Sequence, residues 1–200
     1  MKVGIYTLGC KVNIYESEYI EELLKNHGYE IVPFDTIADI YMINTCSVTN
    51  ESDRKSRKMI NQAKKRNKDA IIAVMGCYSQ THASSIEADI VIGSQDKSRI
   101  VEYLEQYLEN NTSIKNLYDI REEALFEKMN IHHFDNHTRA FVKIQDGCNA
   151  FCSYCIIPYA RGKARSKKYE DVVEEVTKLV ENGYQEIVLT GIHTGRYGQD

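Results

Sequence analysis

Six cysteines are the residues of this chain whose type and spacing point most directly to chemistry, and they form two groups of three. Cys148, Cys152 and Cys155 lie within the stretch GCNAFCSYC and have the spacing C-x3-C-x2-C. A structural zinc site takes four ligands, and no fourth cysteine or histidine lies close to these three in the sequence. Three thiolates instead suit a [4Fe–4S] cluster, in which one iron atom then lacks a protein ligand and stays open to another molecule.

The other three cysteines are far apart in the sequence, but each follows a short apolar run that predicts a β-strand. Cys10 ends KVGIYTLGC, Cys46 ends DIYMINTC and Cys77 ends AIIAVMGC. A fourth run, ADIVIGS, follows, and polar helices alternate with these strands, which predicts an α/β fold with a doubly wound parallel sheet. Ligands bind at the carboxyl edge of such a sheet, so we expect the three thiols to meet there. Buried structural thiols are the alternative.

Two of the helices predicted beside this sheet have sequence signals at their ends. Asn13 and Glu16 have the spacing of a capping box, and the helix that they begin is expected to stop at Gly28. Ser94 is expected to cap the helix that follows the fourth strand. We therefore assign residues 1–110 to an N-terminal domain.

The strand–helix repeat is lost over residues 111–139, which we interpret as a linker between two domains. Three histidines cluster in this segment, namely His132, His133 and His137. We interpret them as solvated loop residues and assign them no role.

Residues 140–200 form one further βαβ unit, with the strand AFVKI, the loop of the second cysteine group, the helix EDVVEEVTKLVEN and the strand EIVLT. The apolar residues of this helix are expected to form its core face; they are Val172, Val173, Val176, Leu179 and Val180. Two strands and one helix leave faces and edges uncovered. We therefore expect the sequence to be an N-terminal fragment of a longer protein and to be inactive alone.

The composition is that of an ordinary globular chain, 42% hydrophobic and 27% charged, with a formal net charge of -4 that predicts no nucleic-acid partner by itself. The first residues lack the features of a signal peptide, and no window approaches the roughly 18 apolar residues of a membrane span. We expect a cytoplasmic protein without membrane contact. Its thiols would stay reduced and serve metal binding or catalysis instead of disulfides.

The C-x3-C-x2-C spacing after a predicted strand resembles the radical S-adenosylmethionine superfamily, which implies that residues 140–200 begin a (β/α) barrel. The resemblance implies that Cys148, Cys152 and Cys155 hold a [4Fe–4S] cluster whose open iron binds S-adenosylmethionine. It also implies that Tyr154, directly before the third cysteine, lies near the adenine of that cofactor. Gly191, in the stretch TGIH, would contact its methionine amino group.

Four stretches narrow the resemblance to the methylthiotransferases: LGCKVN, NTCSVTN, GCYSQ and VKIQDGCNAFCSYCIIPYARGKARS. This family resemblance implies that Cys10, Cys46 and Cys77 hold a second [4Fe–4S] cluster. All six cysteines would then be metal ligands. We expect no conventional catalytic acid, base or nucleophile.

Within that family, the stretch LTGIHTGRYG resembles the branch that acts on N6-threonylcarbamoyladenosine at position 37 of transfer RNA. The implied reaction replaces the C2 hydrogen of this adenine with a methylthio group. It uses S-adenosylmethionine and an electron donor such as flavodoxin or ferredoxin. Isopentenyladenosine at position 37 is the alternative substrate, and a non-catalytic zinc- or RNA-binding module is the alternative of another class.

Binding of transfer RNA by a chain of negative net charge requires local positive charge, and two stretches supply it. DRKSRKMINQAKKRNK is rich in lysine and arginine, although a solvated helix face explains it equally well. ARGKARSKK follows the second cysteine group directly, so Arg161, Lys163 and Arg165 are expected to contact the RNA backbone.

Overall fold

The computed structural model describes residues 1–119, 122, 125–131 and 139–200. The three histidines of the predicted linker lie outside these ranges. The first strands along the chain are β1 Lys2–Thr7, β2 Glu30–Val32, β3 Ile40–Thr45, β4 Ile71–Gly76, β5 Ile90–Ile92 and β6 Ile114–Asn116. The helices between them are α1 Lys11–Asn26, α2 Asn50–Arg66, α3 Cys77–His82 and α4 Ile100–Asn110. The strands form one parallel sheet in the order β2-β1-β3-β4-β5-β6.

Helices cover both faces of this sheet, which confirms the doubly wound prediction. Alternate side chains of β3 point to opposite faces: Ile40 and Met42 belong to a core shared with α1 and α4. Tyr41 and Ile43 belong to the core on the opposite face, which is shared with α2. Because β3 and β4 are buried along their whole length, their sequences are apolar over most positions. None of the helices in the described ranges is both long and apolar enough to span a membrane.

The two helix caps predicted from the sequence are wrong. Helix α1 begins at Lys11, so Asn13 and Glu16 lie inside it, where both side chains have other partners. Ser94 does not cap α4, because the N-cap position of that helix is Arg99. Both errors arise because a polar side chain near a helix start is a local signal, whereas these side chains are used in tertiary contacts.

The sequence analysis also misses two strands at the edges of the sheet. Strand β2 pairs with β1, and β6 pairs with β5. Each has three residues and is partly exposed, which is too short a segment for a periodic pattern to be recognised. Strand β6 falls inside the predicted linker, so the first sheet extends to residue 116.

The remainder of the described chain forms a second sheet of three strands. Its elements are β7 Ala140–Asp146, α5 Ile157–Arg161, β8 Arg165–Ser166, α6 Tyr169–Glu181 and β9 Ile187–Gly191. The strand order is β8-β7-β9, with β9 parallel and β8 antiparallel to β7. The βαβ unit β7-α6-β9 is as predicted, whereas α5 and β8 lie in a segment that the sequence analysis treats as loop.

Helix α6 packs on the second sheet through only part of its predicted core face. Leu179 is fully buried, and Val172 and Val176 are partly buried against the same core. Val173 and Val180 are 44% and 56% exposed, so the core-face prediction is wrong for these two residues. Two parallel strands are narrower than the apolar side of the helix, which leaves its flanks uncovered.

Helix α1 packs against both sheets. Ile20 and Leu24 belong to the core of the first sheet. Tyr15 belongs to the core beneath β7 and α6, and its hydroxyl lies 2.8 Å from a carboxylate oxygen of Glu175 on α6. The position of this one helix therefore determines how the two sheets meet.

Glu18 provides a pH test of the packing around α1. Burial, together with the negative charge of Glu21, raises the pKa of Glu18 to about 7. An unfolded chain releases the same proton at roughly pH 4.3. Between these values the folded state binds more protons than the unfolded state, so the free energy of unfolding falls as the pH rises.

We expect Glu18→Gln to remove this loss. Between pH 5 and pH 8 the free energy of unfolding of the parent should fall by on the order of 1 kcal/mol more than that of the variant. This figure allows for partial exposure of the carboxyl group. Urea unfolding at the two pH values measures the difference, with Glu30→Gln at an exposed position as the control. Identical pH dependence in the parent and Glu18→Gln would contradict the prediction.

Candidate metal centres at the sheet edges

The three isolated cysteines follow three neighbouring strands of the first sheet. Cys46 directly follows β3, Cys77 directly follows β4, and Cys10 lies three residues beyond the end of β1. Because these strands are adjacent and parallel, the fold brings all three cysteines to one carboxyl edge. Cys10 is exposed, Cys46 and Cys77 are buried, and all three are free thiols.

Two glycines allow the loops at this edge to approach one another. Gly9 and Gly76, each directly before a cysteine, have φ angles of +102° and +103°, which side-chain-bearing residues rarely adopt. A Cβ at Gly9 would lie 2.9 Å from the Cys46 Sγ. A Cβ at Gly76 would lie 2.5 Å from the Thr45 carbonyl oxygen. Both glycine loops therefore pack directly on the loop of the middle cysteine.

The Asn13 side chain joins the same loops from α1. Its Nδ2 donates to the Leu8 carbonyl oxygen at 2.7 Å and to the Thr45 carbonyl oxygen at 3.0 Å. Its Oδ1 accepts from the Cys10 thiol at 3.7 Å. One amide thus connects the ends of β1 and β3 beside the first cysteine.

The donor set at this edge fits an iron–sulfur cluster, because such clusters are held by cysteine thiolates. The three thiols lie on loops in direct contact, and the buried Asn44 Oδ1 at the end of β3 has no hydrogen-bond partner among the described residues. Over that same part of the chain, no three Cys, His, Asp or Glu side chains are close enough to hold a single metal ion. The structure therefore shows three thiols at a shared edge, not a closed ligand set.

The second cysteine group lies on the loop that follows β7, and the base of this loop is tightly closed. The Cys148 backbone nitrogen donates to the Gly162 carbonyl oxygen at 3.0 Å. Gly147 has a φ of +69°, and a Cβ there would lie 1.9 Å from the Lys163 carbonyl oxygen. The start of the loop therefore has no room for a side chain at residue 147.

The tip of this loop is open to solvent. Cys152 is exposed, whereas Cys148 and Cys155 are partly buried. The Tyr154 side chain is 90% exposed, so its ring is accessible to a ligand. The neighbouring Phe151 ring is also exposed, and the backbone of this residue has a positive φ of 47°.

The end of β9 lies beside the cysteine loop, because β9 is the parallel neighbour of β7. Gly191 packs closely on Gln145, whose carbonyl oxygen would lie 2.9 Å from an added Cβ. The Gln145 Oε1 accepts from the His193 backbone nitrogen at 2.7 Å, and the His193 Nδ1 lies 3.9 Å from the Cys148 Sγ. The structure thus brings Gly191 and the second cysteine group to one edge.

A set of buried charged side chains connects the two cysteine edges, and we call it the buried charge cluster. Its members are Glu16, Lys97, Lys143, Asp146, Arg161 and Arg165. Glu16 on α1 pairs with three cations, Lys97, Lys143 and Arg161. Asp146, at the end of β7, pairs with Lys143 at 2.8 Å and with Arg161 at 3.0 Å. Each carboxylate is therefore compensated by several cations.

The expectation that Arg161 and Arg165 contact RNA is wrong. Arg161 is 1% exposed and pairs with Glu16 at 2.9 Å. Arg165 is 5% exposed and pairs with Asp146 at 3.1 Å. Guanidinium groups that neutralise buried carboxylates are not available to phosphates. Lys163 is exposed, and its contact with RNA stays a prediction.

The buried charges also shift pKa values at the first cysteine edge. Burial alone raises the pKa of Glu16, but its three cations, of which Arg161 has the largest effect, outweigh burial and hold that pKa well below its usual range. Burial raises the pKa of the Cys77 thiol, and the positive charge of Arg161 opposes this rise. A single guanidinium group thus acts on a carboxylate and on a thiol.

Sequence reasoning misses the buried charge cluster, although one signal for it exists. All seven residues of β7 are buried, and its sequence AFVKIQD carries two charges, on Lys143 and Asp146. A charge at a buried strand position requires a partner, so this pattern predicts a tertiary ion pair. Glu16 gives no such signal, because a glutamate near the start of a helix is expected at the surface.

Comparison with known proteins divides the chain into the same two parts. Residues 2–93 match the uncharacterized protein family UPF0004, a range that includes the first cysteine group. Residues 142–196 match the radical SAM superfamily, a range that includes the second cysteine group and Gly191. The superfamily match implies a [4Fe–4S] cluster and S-adenosylmethionine as cofactors.

Similar proteins extend these matches across the whole chain. The chain is 48% identical to the "Threonylcarbamoyladenosine tRNA methylthiotransferase MtaB" of Bacillus subtilis, over 99% of this chain and 45% of that relative. The protein of the same name from Aquifex aeolicus is 41% identical, over 100% of this chain and 50% of that relative. The "tRNA-2-methylthio-N(6)-dimethylallyladenosine synthase" of Clostridium perfringens is 35% identical, over 98% of this chain and 45% of that relative.

The chain spans about half the length of the curated relatives that it matches. The two family matches and these identities show that the chain is similar along its whole length to radical S-adenosylmethionine methylthiotransferases, as its motifs predict. The second sheet accordingly belongs to the part of the chain that matches the radical SAM superfamily.

Gly147→Ala tests whether the base of the second cysteine loop is as tight as described. The added Cβ would meet the Lys163 carbonyl oxygen at 1.9 Å, on a backbone of positive φ. We expect a loss of about 2 kcal/mol or more in the free energy of unfolding. Gly195→Ala is the matched control, because its Cβ would have no neighbour nearer than 4.0 Å. Equal losses for the two variants in urea unfolding would contradict the described contact.

Proposed function

We propose that the protein carrying this chain is a transfer RNA methylthiotransferase that converts N6-threonylcarbamoyladenosine at position 37 to its 2-methylthio derivative. The observation that carries this proposal is the 48% identity, over 99% of the chain, to a relative named for threonylcarbamoyladenosine. A relative named for dimethylallyladenosine is 35% identical over a similar share. This difference favours the threonylcarbamoyl substrate and leaves isopentenyladenosine as the alternative.

The six cysteines would hold two [4Fe–4S] clusters, one at each edge. Cys10, Cys46 and Cys77 supply three thiolates to the first cluster, and the loop after β7 supplies three to the second. When bound, the second cluster and S-adenosylmethionine supply a 5′-deoxyadenosyl radical, which can attack a C–H bond that acids and bases cannot activate. The accessible ring of Tyr154 supports adenine stacking, and the lack of a side chain at Gly191 supports close approach of the methionine part.

We assign the residues of this chain to binding and positioning, and none of them to acid, base or nucleophilic catalysis. Reduction of the second cluster requires an external electron, which a flavodoxin or a ferredoxin would supply. The exposed Cys152 and Tyr154 at the tip of the loop are consistent with access from solvent.

Transfer RNA would approach the carboxyl edge on which the exposed Lys163 lies, and α2 would provide a second basic surface. Helix α2 begins four residues after Cys46, and Lys55, Lys58 and Lys65 are exposed along it. Such side chains neutralise phosphates without reading base sequence.

We place this activity in the cytoplasm, where thiols stay reduced. All six cysteines are free, which is consistent with that compartment. Residues 1–110 would form the domain of the first cluster, with β6 added to it, and residues 140–200 would begin the radical domain after the linker.

Mass spectrometry of transfer RNA nucleosides tests the proposed substrate. In cells that lack the gene, we expect the methylthio group to be lost from N6-threonylcarbamoyladenosine while methylthio-isopentenyladenosine persists. The natural-length gene should restore it, as should the control Ser153→Ala at an exposed loop position, whereas Cys155→Ala should not. Loss of the methylthio group from the isopentenyl derivative alone would instead identify isopentenyladenosine as the substrate. Loss from neither nucleoside would contradict the proposal.

Iron and acid-labile sulfide analysis tests the number of clusters. The natural-length protein, reconstituted without oxygen, should bind about eight iron atoms and as many sulfides. Replacement of Cys10, Cys46 and Cys77 together by alanine should leave about four of each. Zinc in place of iron, without sulfide, would instead favour the non-catalytic zinc module.

A further inference from the structure

Arg161 follows the second cysteine group in the sequence, but its side chain is buried beside α1 and contacts Asn13, which in turn contacts the loops of the first group. It is the last residue of α5, six positions after Cys155. Its side chain is 1% exposed, and α5 packs on α3, the short helix that begins at Cys77. Arg161 is therefore a direct structural link between the two candidate metal centres.

The guanidinium group of Arg161 contacts α1 at two residues. Its Nη2 donates to the Asn13 Oδ1 at 2.7 Å, and its Nη1 donates to the Glu16 Oε1 at 2.9 Å. A guanidinium group has only donors, so it fixes which end of the Asn13 amide faces it. The Nδ2 of Asn13 is consequently turned toward the carbonyl oxygens of Leu8 and Thr45.

We propose that Arg161 is a positioning residue for the first metal centre. It orients Asn13, and through Asn13 the loops of Cys10 and Cys46. This inference rests on the proposed role of these three cysteines as cluster ligands. It makes assembly of the first centre depend on the segment that follows the second cysteine group.

A cluster-retention experiment tests the proposal on the natural-length protein. Cys148, Cys152 and Cys155 are first replaced by alanine, so that only the first centre can bind iron. In this background, Arg161→Gln should weaken cluster binding by about tenfold or more, as is typical when a partner of a metal ligand is removed. Loss of iron to a chelator measures retention, and electron paramagnetic resonance of the reduced cluster should change in signal shape.

Arg165→Gln is the matched control for a merely structural effect. Arg165 is also a buried cation paired with Asp146, but it donates to Asp146 and to the carbonyl oxygens of Lys163 and Arg161 instead of to Asn13. We expect this variant to keep the iron content and the spectrum of the first centre. Arg161→Lys, which retains charge but not the fork of donors, should recover part of the retention.

Alkylation of the cluster-free protein, with Cys148, Cys152 and Cys155 retained, supplies a second measurement that needs no bound iron. If Arg161 holds the loops through Asn13, Arg161→Gln should increase the rate of N-ethylmaleimide reaction at the buried Cys46 by about fivefold or more. The rate at the exposed Cys152 should not change, and peptide mass spectrometry reports both sites. Circular dichroism verifies that each variant is folded.

Three outcomes would overturn the proposal. One is a folded Arg161→Gln variant with unchanged iron retention, spectrum and Cys46 reactivity. Another is an equal loss in Arg161→Gln and Arg165→Gln, which would show general destabilisation. The third applies if the parent binds no iron at the first centre: it is a Cys46 rate that is no higher in Arg161→Gln than in that parent. That parent's failure to bind iron would count against the proposed function, whereas a raised Cys46 rate in its Arg161→Gln variant would still support Arg161 as the residue that holds the loops.

Discussion

The buried carboxylate of Glu16 is the constraint on which the arrangement of this chain depends. A buried charge, which water cannot solvate, requires opposite charges beside it. Glu16 forms ion pairs with Lys97, Lys143 and Arg161, which come from three separate segments of the chain. Lys97 lies just before α4, which packs on the first sheet. Lys143 lies on β7, and Arg161 is the last residue of α5. Removal of one partner from such a cluster typically costs about 3–5 kcal/mol, because it leaves a buried charge unpaired. The two sheets are therefore held in one relative position by electrostatics as well as by the apolar contacts of α1.

This constraint connects the loops of the two cysteine groups through a series of side-chain contacts. Asn13 lies three residues before Glu16 on α1, and it binds the ends of β1 and β3. Asp146 lies two residues before Cys148 and shares Arg161 with Glu16. The ion pairs of one helix thus connect the loops of the first cysteine group to the base of the second.

The sequence predicts much of the fold and of the candidate site, because the signals involved are local. Buried strands such as β3 and β4 are apolar over most of their length, and Cys46 and Cys77 directly follow them, so the shared edge can be inferred without coordinates. The spacing of the second cysteine group identifies its superfamily in the same way. What the sequence does not disclose is which polar side chains turn inward. Asn13 and Glu16 have the spacing of a helix cap, and Arg161 resembles a surface cation, but all three are buried by residues more than thirty positions away.

A double-mutant cycle between Glu16 and Arg161 tests the central claim most directly. The free energies of unfolding of the natural-length protein, Glu16→Gln, Arg161→Gln and the double variant give the coupling energy between the two residues. The account predicts a coupling of about 2 kcal/mol or more, because each single variant leaves a buried charge without its partner. A coupling near zero, with both single variants folded, would contradict the claim that this ion pair holds the two sheets together.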